Sequence, residues 1–218
     1  MFAIEAVIED LRKRRPVFVS EADFQLEFAW SIKRLYRDSY DIRLEYTPSD
    51  RALSGQSKMH IDILLKSIDT GKWIPIELKY KTKACILQHN GEVFDLANHG
   101  AKDIGCYLYL NDVQRIEKIK TAKRDEFEKG YAVMLTNELS YTKTPRKNDC
   151  VYADFCIDEG RIKHGTMGWS AVASAGTKRG IESDIVLDGS YLINWKDYSE
   201  LIDGTGKLIQ FKYLVCEV

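Results

Sequence analysis

Two apolar runs separated by a short polar stretch constrain the fold of this chain most. Residues 60–66 read HIDILLK and residues 73–80 read WIPIELKY. Runs of this length that are rich in Ile and Leu, with turn residues between them, predict a hairpin of two buried strands. Because Pro75 has no N–H to donate, it predicts that the second strand lies at a sheet edge or carries a bulge near its start.

Helical spacing predicts helices on both sides of this hairpin, and further apolar runs predict two more strands. In chain order, the predicted elements are helices 3–14 and 21–38, strands 42–46, 60–66 and 73–80, helix 101–123 and strand 130–136. From the second helix onward, this order of helix, three strands, helix and strand predicts an α/β fold with a central mixed sheet flanked by helices.

The length of 218 residues suits one large domain with an appended subdomain. Beyond residue 137 the pattern weakens to several short strands. We therefore predict a core over residues 1–137 and a β-rich C-terminal subdomain over residues 138–218. The large apolar residues of that second part need a covering partner, so we expect it to pack on the core in one compact unit.

Composition excludes several classes of protein. Thirty-two basic and 33 acidic residues give a net charge of −1, so a nucleic-acid partner must be held by a local patch and not by bulk charge. The five cysteines form no C-x-x-C pair, which argues against a disulfide framework or a thiolate zinc site. Because no signal peptide and no membrane-spanning apolar run is visible, we expect a cytoplasmic protein without a membrane partner. The oligomeric state is left open.

Charged side chains interrupt both apolar strands. Side chains two apart on a strand share a face, so Glu77 and Lys79 project together, and Asp62 lies on the preceding strand. Two carboxylates beside an ammonium suit a hard divalent cation, with the lysine stabilising charge that develops on a phosphate. The same pattern is also typical of a salt-bridged face of an amphipathic hairpin. The strands alone leave both interpretations open.

A polar pair falls on the core-facing side of the predicted second helix. Glu21 and Gln25 lie one turn apart on the apolar stripe of that helix. The apolar residues of this stripe are Phe28, Ile32 and Leu35. Asp23 and Glu27 fall on the opposite side, which we expect to be solvated. A charge at a helix N-terminus would explain Glu21 but not an inward amide, so the pattern favours a functional site.

The order of these residues resembles the PD-(D/E)XK nuclease superfamily, whose members have a restriction-endonuclease-like core. The resemblance covers roughly residues 15–136. Within it, the stretches SEADFQ (20–25), NHGAKD (98–103) and GYAVMLTN (130–137) look like an uncharacterised bacterial branch of that superfamily. Ile61 stands where the family name has a proline, although the proline is often missing in that loose motif.

The resemblance implies a metal-dependent endonuclease, a hydrolase of phosphodiester bonds that uses Mg²⁺, with Mn²⁺ as a substitute. The positions that it assigns to the metal are Asp62, Glu77, the Leu78 carbonyl and Glu21. Lys79 would orient the attacking water, while Glu21 and Gln25 would support the metal or the scissile phosphate. The resemblance also favours DNA over RNA as the partner.

Weaker candidates lie near the end of the third predicted strand. Lys81 and Lys83 could contact phosphates, or could form an ordinary solvated strand end. Asn98 and His99 could reach nucleic acid, or could serve as a turn and helix cap. The alternative to a nuclease is a non-catalytic nucleic-acid-binding or scaffolding protein that retains the fold. The complete set of Asp62, Glu77 and Lys79 argues against that alternative.

Overall fold

A six-stranded sheet forms the centre of the chain, which the computed structural model describes at residues 1–48, 59–145 and 150–218. The strands are β1 (Tyr40–Tyr46), β2 (Ile61–Ser67), β3 (Trp73–Lys81), β4 (Cys85–His89), β5 (Glu92–Leu96), β6 (Tyr131–Thr136), β7 (Ile162–Met167), β8 (Ile185–Leu192), β9 (Lys196–Ile202) and β10 (Leu208–Glu217). The α-helices are α1 (Ile4–Arg14), α2 (Glu21–Tyr36), α3 (Lys102–Ala122) and α4 (Ala175–Lys178), and short 3₁₀ turns cover Leu139–Thr142 and Ala153–Phe155.

The central sheet has the strand order β1-β2-β3-β6-β10-β9. Neighbouring strands are antiparallel except β3 and β6, which are parallel and are joined by a long crossover that contains α3. Two separate hairpins, β4–β5 and β7–β8, complete the strands. The predicted α/β class with a mixed central sheet is confirmed. The sequence pattern predicted no element where the β4–β5 hairpin lies.

The sheet is covered on both faces. Apolar residues of α1 and α2, such as Leu11 and Phe28, pack on one face against Ile76 and Leu78 of β3. On the other face, Val113 and its neighbours on α3 form a second core with apolar side chains of β6 and of the β7–β8 hairpin. A strand buried on both faces reads as a continuous apolar run, which explains the composition of β3.

Pro75 lies inside the sheet and not at an edge, so the edge or bulge predicted from it is wrong. It pairs in regular register with Leu64 of β2. Backbone N–H groups alternate between the two neighbours of a strand, and that of Leu78 points towards β2. Position 75 therefore points towards β6, where the parallel ladder begins only at Ile76. The missing N–H of the proline costs no ladder hydrogen bond.

The polar side of α2 is not solvated, contrary to our expectation for Asp23 and Glu27. Asp23 pairs with Arg15 at 2.8 Å, and Glu27 pairs with Arg14 at 3.3 Å, so both carboxylates face α1. The start of α2 is as predicted, because the Ser20 hydroxyl accepts the Asp23 N–H at 3.1 Å. Leu35, placed on the core stripe by its spacing, has an exposed side chain in the last turn of the helix.

Residues beyond 137 complete the central sheet. β10 pairs with β6 along its length, and β9 pairs with β10. The β7–β8 hairpin packs against α3, where the Glu117 carboxylate accepts the N–H groups of Asp188 and Gly189 and the hydroxyl of Tyr191. The C-terminal third thus supplies strands of the sheet as well as part of the cover of α3.

Disulfides do not contribute to this fold. All five cysteines are free thiols, and three of them are buried. Burial raises the pKa of the Cys106 thiol to about 12, which keeps it protonated at neutral pH. Among the helices in the described ranges, none is both long and apolar enough to cross a membrane.

We expect a chain that ends at residue 137 not to fold by itself. It would lose β10, which leaves one edge of the apolar strand β6 unpaired, and the β7–β8 cover of α3. Circular dichroism of the 1–137 fragment should show no cooperative thermal transition, whereas the full chain should melt cooperatively. Release of a stable 1–137 fragment by limited proteolysis, without prior unfolding, would contradict this expectation.

Candidate active site

Strands β2 and β3 separate at Asp62. Their ladder runs from Lys66–Trp73 to Ile63–Ile76 and ends there. The next N–H groups on that side of β3 are those of Leu78 and Tyr80. Leu78 donates to Asp62 Oδ2 at 2.7 Å, and Tyr80 donates to Glu21 Oε2 at 2.7 Å. Two carboxylates therefore take the place of β2 as hydrogen-bond acceptors for β3.

The first turns of α2 fill the space between the separating strands. The Gln25 side-chain amide donates to the Asp62 carbonyl oxygen and to Glu45 Oε1, both at 2.7 Å. Gln25 thus bonds the backbone of β2 at the residue where the ladder ends, while Glu21 bonds the backbone of β3. The structure brings both α2 residues to Asp62 and β3, with each side chain engaged in backbone contacts.

Glu77 and Lys79 project from β3 towards α3 and form ion pairs there. Lys79 Nζ lies 2.8 Å from Asp112 Oδ2, and Arg115 Nη2 lies 3.1 Å from Glu77 Oε1. Arg115 Nη1 also donates to Asp112 Oδ1 at 3.2 Å. Because Asp112 and Arg115 are one helical turn apart, they reach the same point of the sheet. The charged cluster consists of Asp62, Glu77, Lys79, Asp112 and Arg115.

Burial and neighbouring charges set the protonation of this cluster. The Glu77 side chain is 0% exposed, and burial raises its pKa well above the usual value, with Asp112 adding to the effect and Arg115 opposing it. Burial also raises the pKa of Asp62, against the effect of the Lys79 charge. For Lys79, burial alone would lower the pKa, but Asp112 and Asp62 outweigh it and the net shift is upward. Lys79 therefore stays protonated at neutral pH.

The oxygen atoms at the separation of β2 and β3 fit a hard divalent cation. Neither carboxylate oxygen of Glu77 has a hydrogen-bond partner within the described part of the chain, because the nearby Arg115 is not aligned for one. Asp62 commits Oδ2 to the Leu78 N–H, and the Leu78 carbonyl accepts from Lys79 Nζ at 3.2 Å. Mg²⁺ commonly takes one or two protein carboxylates and completes its shell with water.

The candidate ligand set is small. Across residues 1–48, 59–145 and 150–218, no three His, Cys, Asp or Glu side chains converge as a metal-binding group. The oxygens that can hold a cation here are those of Asp62, Glu77 and the Leu78 carbonyl. Glu21, the fourth residue assigned by the resemblance, commits Oε2 to the Tyr80 N–H.

The weaker candidates lie past this point, at the end of β3. Lys81 is the last residue of β3. The Lys83 backbone is held by the side chain of Asn137, which accepts its N–H at 2.7 Å. His99 donates its backbone N–H to the Thr82 carbonyl at 2.7 Å and accepts the Thr82 N–H at Nδ1. These hydrogen bonds give His99 the turn-forming role that was the alternative to nucleic-acid binding. The neighbouring Asn98 is exposed.

A large cavity begins beyond the end of β3. Its volume is about 1020 Å³, within the size range of ligand-binding clefts. Four lysines line it, against two acidic residues, and Tyr152 forms part of its apolar wall. The lysines are Lys83, Lys102, Lys143 and Lys207. The five residues of the charged cluster do not line this basic cavity. Lys83, two residues past the end of β3, is the lining residue nearest in sequence to Lys79.

Comparison with known proteins does not assign this chain to a family. No protein-family model, curated protein or solved structure matches the chain. The likeness to the PD-(D/E)XK superfamily therefore depends on the residues of this chain and on their arrangement.

Sequence reasoning missed Asp112 and Arg115. A usable signal was present, since Asp112 interrupts the apolar stripe formed by Tyr109, Val113 and Ile116 on α3. An acidic residue inside such a stripe needs a buried partner. The same argument identified Gln25 on α2, but the partner of Asp112 becomes visible only once α3 is placed over β3.

We expect Asp62→Asn to melt about 2 to 4 °C higher than the wild type without metal, the shift that roughly 1 kcal/mol produces in a chain of this size. The change removes a carboxylate whose charged form is disfavoured by burial, and the amide oxygen can still accept the Leu78 N–H. Because folding raises the pKa of Asp62, its negative charge destabilises the folded state at every pH above the folded-state pKa. The difference between the two proteins should therefore shrink as the pH falls towards 3.8, the ordinary value. Differential scanning calorimetry measures both effects.

Magnesium provides the matched comparison. If its dissociation constant is about 1 mM, 10 mM Mg²⁺ should stabilise the wild type by roughly 1.4 kcal/mol, and Asp62→Asn should gain much less. Asp41→Asn, on strand β1, is the control, because Asp41 forms a surface ion pair with Arg43. Equal responses of wild type and Asp62→Asn to magnesium would refute a cation site at Asp62.

Proposed function

We propose that this chain is a Mg²⁺-dependent nuclease that hydrolyses phosphodiester bonds, with DNA as its substrate. The observation that carries the proposal is the convergence of Asp62, Glu77 and Lys79 where β2 separates from β3. The two carboxylates are largely removed from water and the lysine is protonated. Such a combination suits a reaction in which negative charge builds up on a phosphate.

Each residue of the proposed site has a role that follows from its surroundings. Asp62 and Glu77, with the Leu78 carbonyl, are the residues that would hold the magnesium ion. Bound magnesium would supply a water of lowered pKa and positive charge beside the phosphate. Lys79 acts as a hydrogen-bond donor to the attacking water or to a phosphate oxygen. Its raised pKa excludes it as the general base.

Glu21 and Gln25 act through the backbone in this proposal. By accepting the Tyr80 N–H and donating to the Asp62 carbonyl, they fix the two strands at the distance that the separation requires. Loss of either contact would move Asp62 relative to Glu77. Since misplacement of a reacting group by about 1 Å can cost on the order of 100-fold in rate, these two residues position the site.

The lysines of the cavity offer a path for the nucleic acid. Lys83 and Lys143 line the cleft beyond the end of β3, and Lys102 and Lys207 add to its positive charge. Phosphate contacts of this kind position a nucleic acid without reading its sequence. The net charge of −1 fits such a local patch.

A second candidate function is favoured by the ion pairs to α3. Lys79 is held by Asp112, and Glu77 lies beside Arg115, so the charges of β3 already have counter-ions within the protein. This arrangement also suits a non-catalytic nucleic-acid-binding or scaffolding protein, in which the cluster joins α3 to the sheet. Cleavage assays separate the two functions.

We expect Asp62→Ala, Glu77→Ala and Lys79→Ala each to reduce cleavage of plasmid or linear DNA in magnesium buffer by at least about 1,000-fold, because each removes a group that acts on the reacting phosphate or its cation. Lys66→Ala on β2 and Asp41→Ala on β1 serve as controls, since Lys66 is exposed and Asp41 is part of a surface ion pair on the same sheet. Absence of magnesium-dependent cleavage by the wild type would favour the non-catalytic function. Full activity in all three variants would contradict the assignment of Asp62, Glu77 and Lys79 to the reaction.

Charge reversal in the cavity tests the path of the nucleic acid. We expect the double variant Lys83→Glu and Lys143→Glu to bind DNA about tenfold more weakly, with the slope of log K against log salt reduced by roughly 2, because two phosphate contacts are lost. Fluorescence anisotropy in EDTA measures binding without cleavage. Lys13→Glu and Lys118→Glu, on exposed faces of α1 and α3, make the same change in net charge elsewhere. Equal affinity of the two double variants would place the DNA outside the cavity.

A further inference from the structure

Arg115 is the member of the charged cluster for which the proposed reaction has no use. It approaches Glu77 Oε1 at 3.1 Å and Asp112 Oδ1 at 3.2 Å. Its own side chain is 22% exposed, whereas those of its two partners are 0% and 3% exposed. The guanidinium thus covers a buried carboxylate from the solvent side.

We propose that Arg115 is an internal counter-ion of Glu77 that a divalent cation displaces. This inference rests on the proposed function, because it takes Glu77 to be a ligand of the cation. It assigns to α3 a role in the loading of the site, in addition to its role in packing.

Charge balance supports the exchange. With Arg115 in place, the cluster holds three carboxylates and two cationic side chains. A divalent cation added to this set would leave a net positive charge in a largely dry site. If Arg115 withdraws, the divalent cation and Lys79 together balance the three carboxylates. Buried charge that lacks compensation is costly, so binding of the cation and withdrawal of Arg115 are coupled.

Exposure and the contact with Glu77 distinguish Arg115 from Lys79 as the side chain that moves. Arg115 is not aligned for a hydrogen bond to Glu77, whose two carboxylate oxygens have no such partner among the residues described. Their attraction is therefore Coulombic and can be replaced by that of another cation. Lys79 is only 13% exposed, against 22% for Arg115, and its Nζ also donates a hydrogen bond to the Leu78 carbonyl at 3.2 Å. The part-exposed guanidinium would leave Glu77 towards solvent, and the hydrogen bond that it donates to Asp112 Oδ1 at 3.2 Å is the contact that resists this movement.

The first test measures Mn²⁺ binding by isothermal titration calorimetry, without a DNA substrate. We expect Arg115→Met to bind Mn²⁺ about tenfold more tightly than the wild type, since the cation no longer displaces a positive charge from Glu77. Arg115→Lys, which keeps the charge, should bind like the wild type. Arg12→Met is the control, because Arg12 pairs with Glu9 on the exposed side of α1.

The second test uses only the wild type and so does not depend on the folding of a variant. Phenylglyoxal modifies accessible arginines, and peptide mass spectrometry reports the rate at each position. We expect the modification of Arg115 to become several-fold faster at saturating Mn²⁺, while that of Arg12 stays constant. A rate at Arg115 that falls or stays the same when Mn²⁺ binds would overturn the proposal.

The outcomes distinguish this inference from the proposed function. If wild type and Arg115→Met bind Mn²⁺ with equal affinity, or the variant binds more weakly, Arg115 does not compete with the cation, but the site remains a cation site. If neither protein binds Mn²⁺, the proposed function fails and this inference fails with it. Binding by Arg115→Met alone would support the inference most strongly.

Discussion

The unpaired side of β3 is the constraint on which the rest of the site depends. An interior strand must satisfy every backbone N–H, and β2 leaves β3 two residues before Leu78 and four before Tyr80. Carboxylates of Asp62 and Glu21 accept these N–H groups. This requirement brings the start of α2 to the separation of the strands. It also holds Asp62 close to Glu77 and Glu21 close to Lys79.

Stability alone does not explain the ion pairs beneath α3. Apolar residues of similar volume often stabilise a core as well as a buried ion pair does, and sometimes better. Here Asp112 serves two cations at once, and Glu77 is completely buried with no aligned donor among the residues described. If the cluster holds a cation, as proposed, binding would release electrostatic free energy of these buried charges. Its place between sheet and helix ties the charge state of the site to the packing of α3.

The sequence predicted those parts of the site that depend on local periodicity. Alternation placed Glu77 and Lys79 on one face of β3, and helical spacing turned Gln25 inward. Pairing between distant segments was not readable in this way. β10 completes the sheet beside β6, and Asp112 meets Lys79 only because the crossover between β3 and β6 lays α3 over them. Asp23 and Glu27 were misplaced because their partners are arginines at the end of α1, whose position relative to α2 no local pattern encodes.

The position of β6 has a consequence for how the chain is made. β6 lies between β3 and β10, and its partners on β10 are synthesised long after it. During translation, one edge of this buried, apolar strand therefore stays unpaired until β10 has been synthesised. Such long-range pairing slows folding, and an open apolar edge invites association with other nascent chains. Chaperones that shield extended segments would act on this chain in the interval between the emergence of β6 and that of β10.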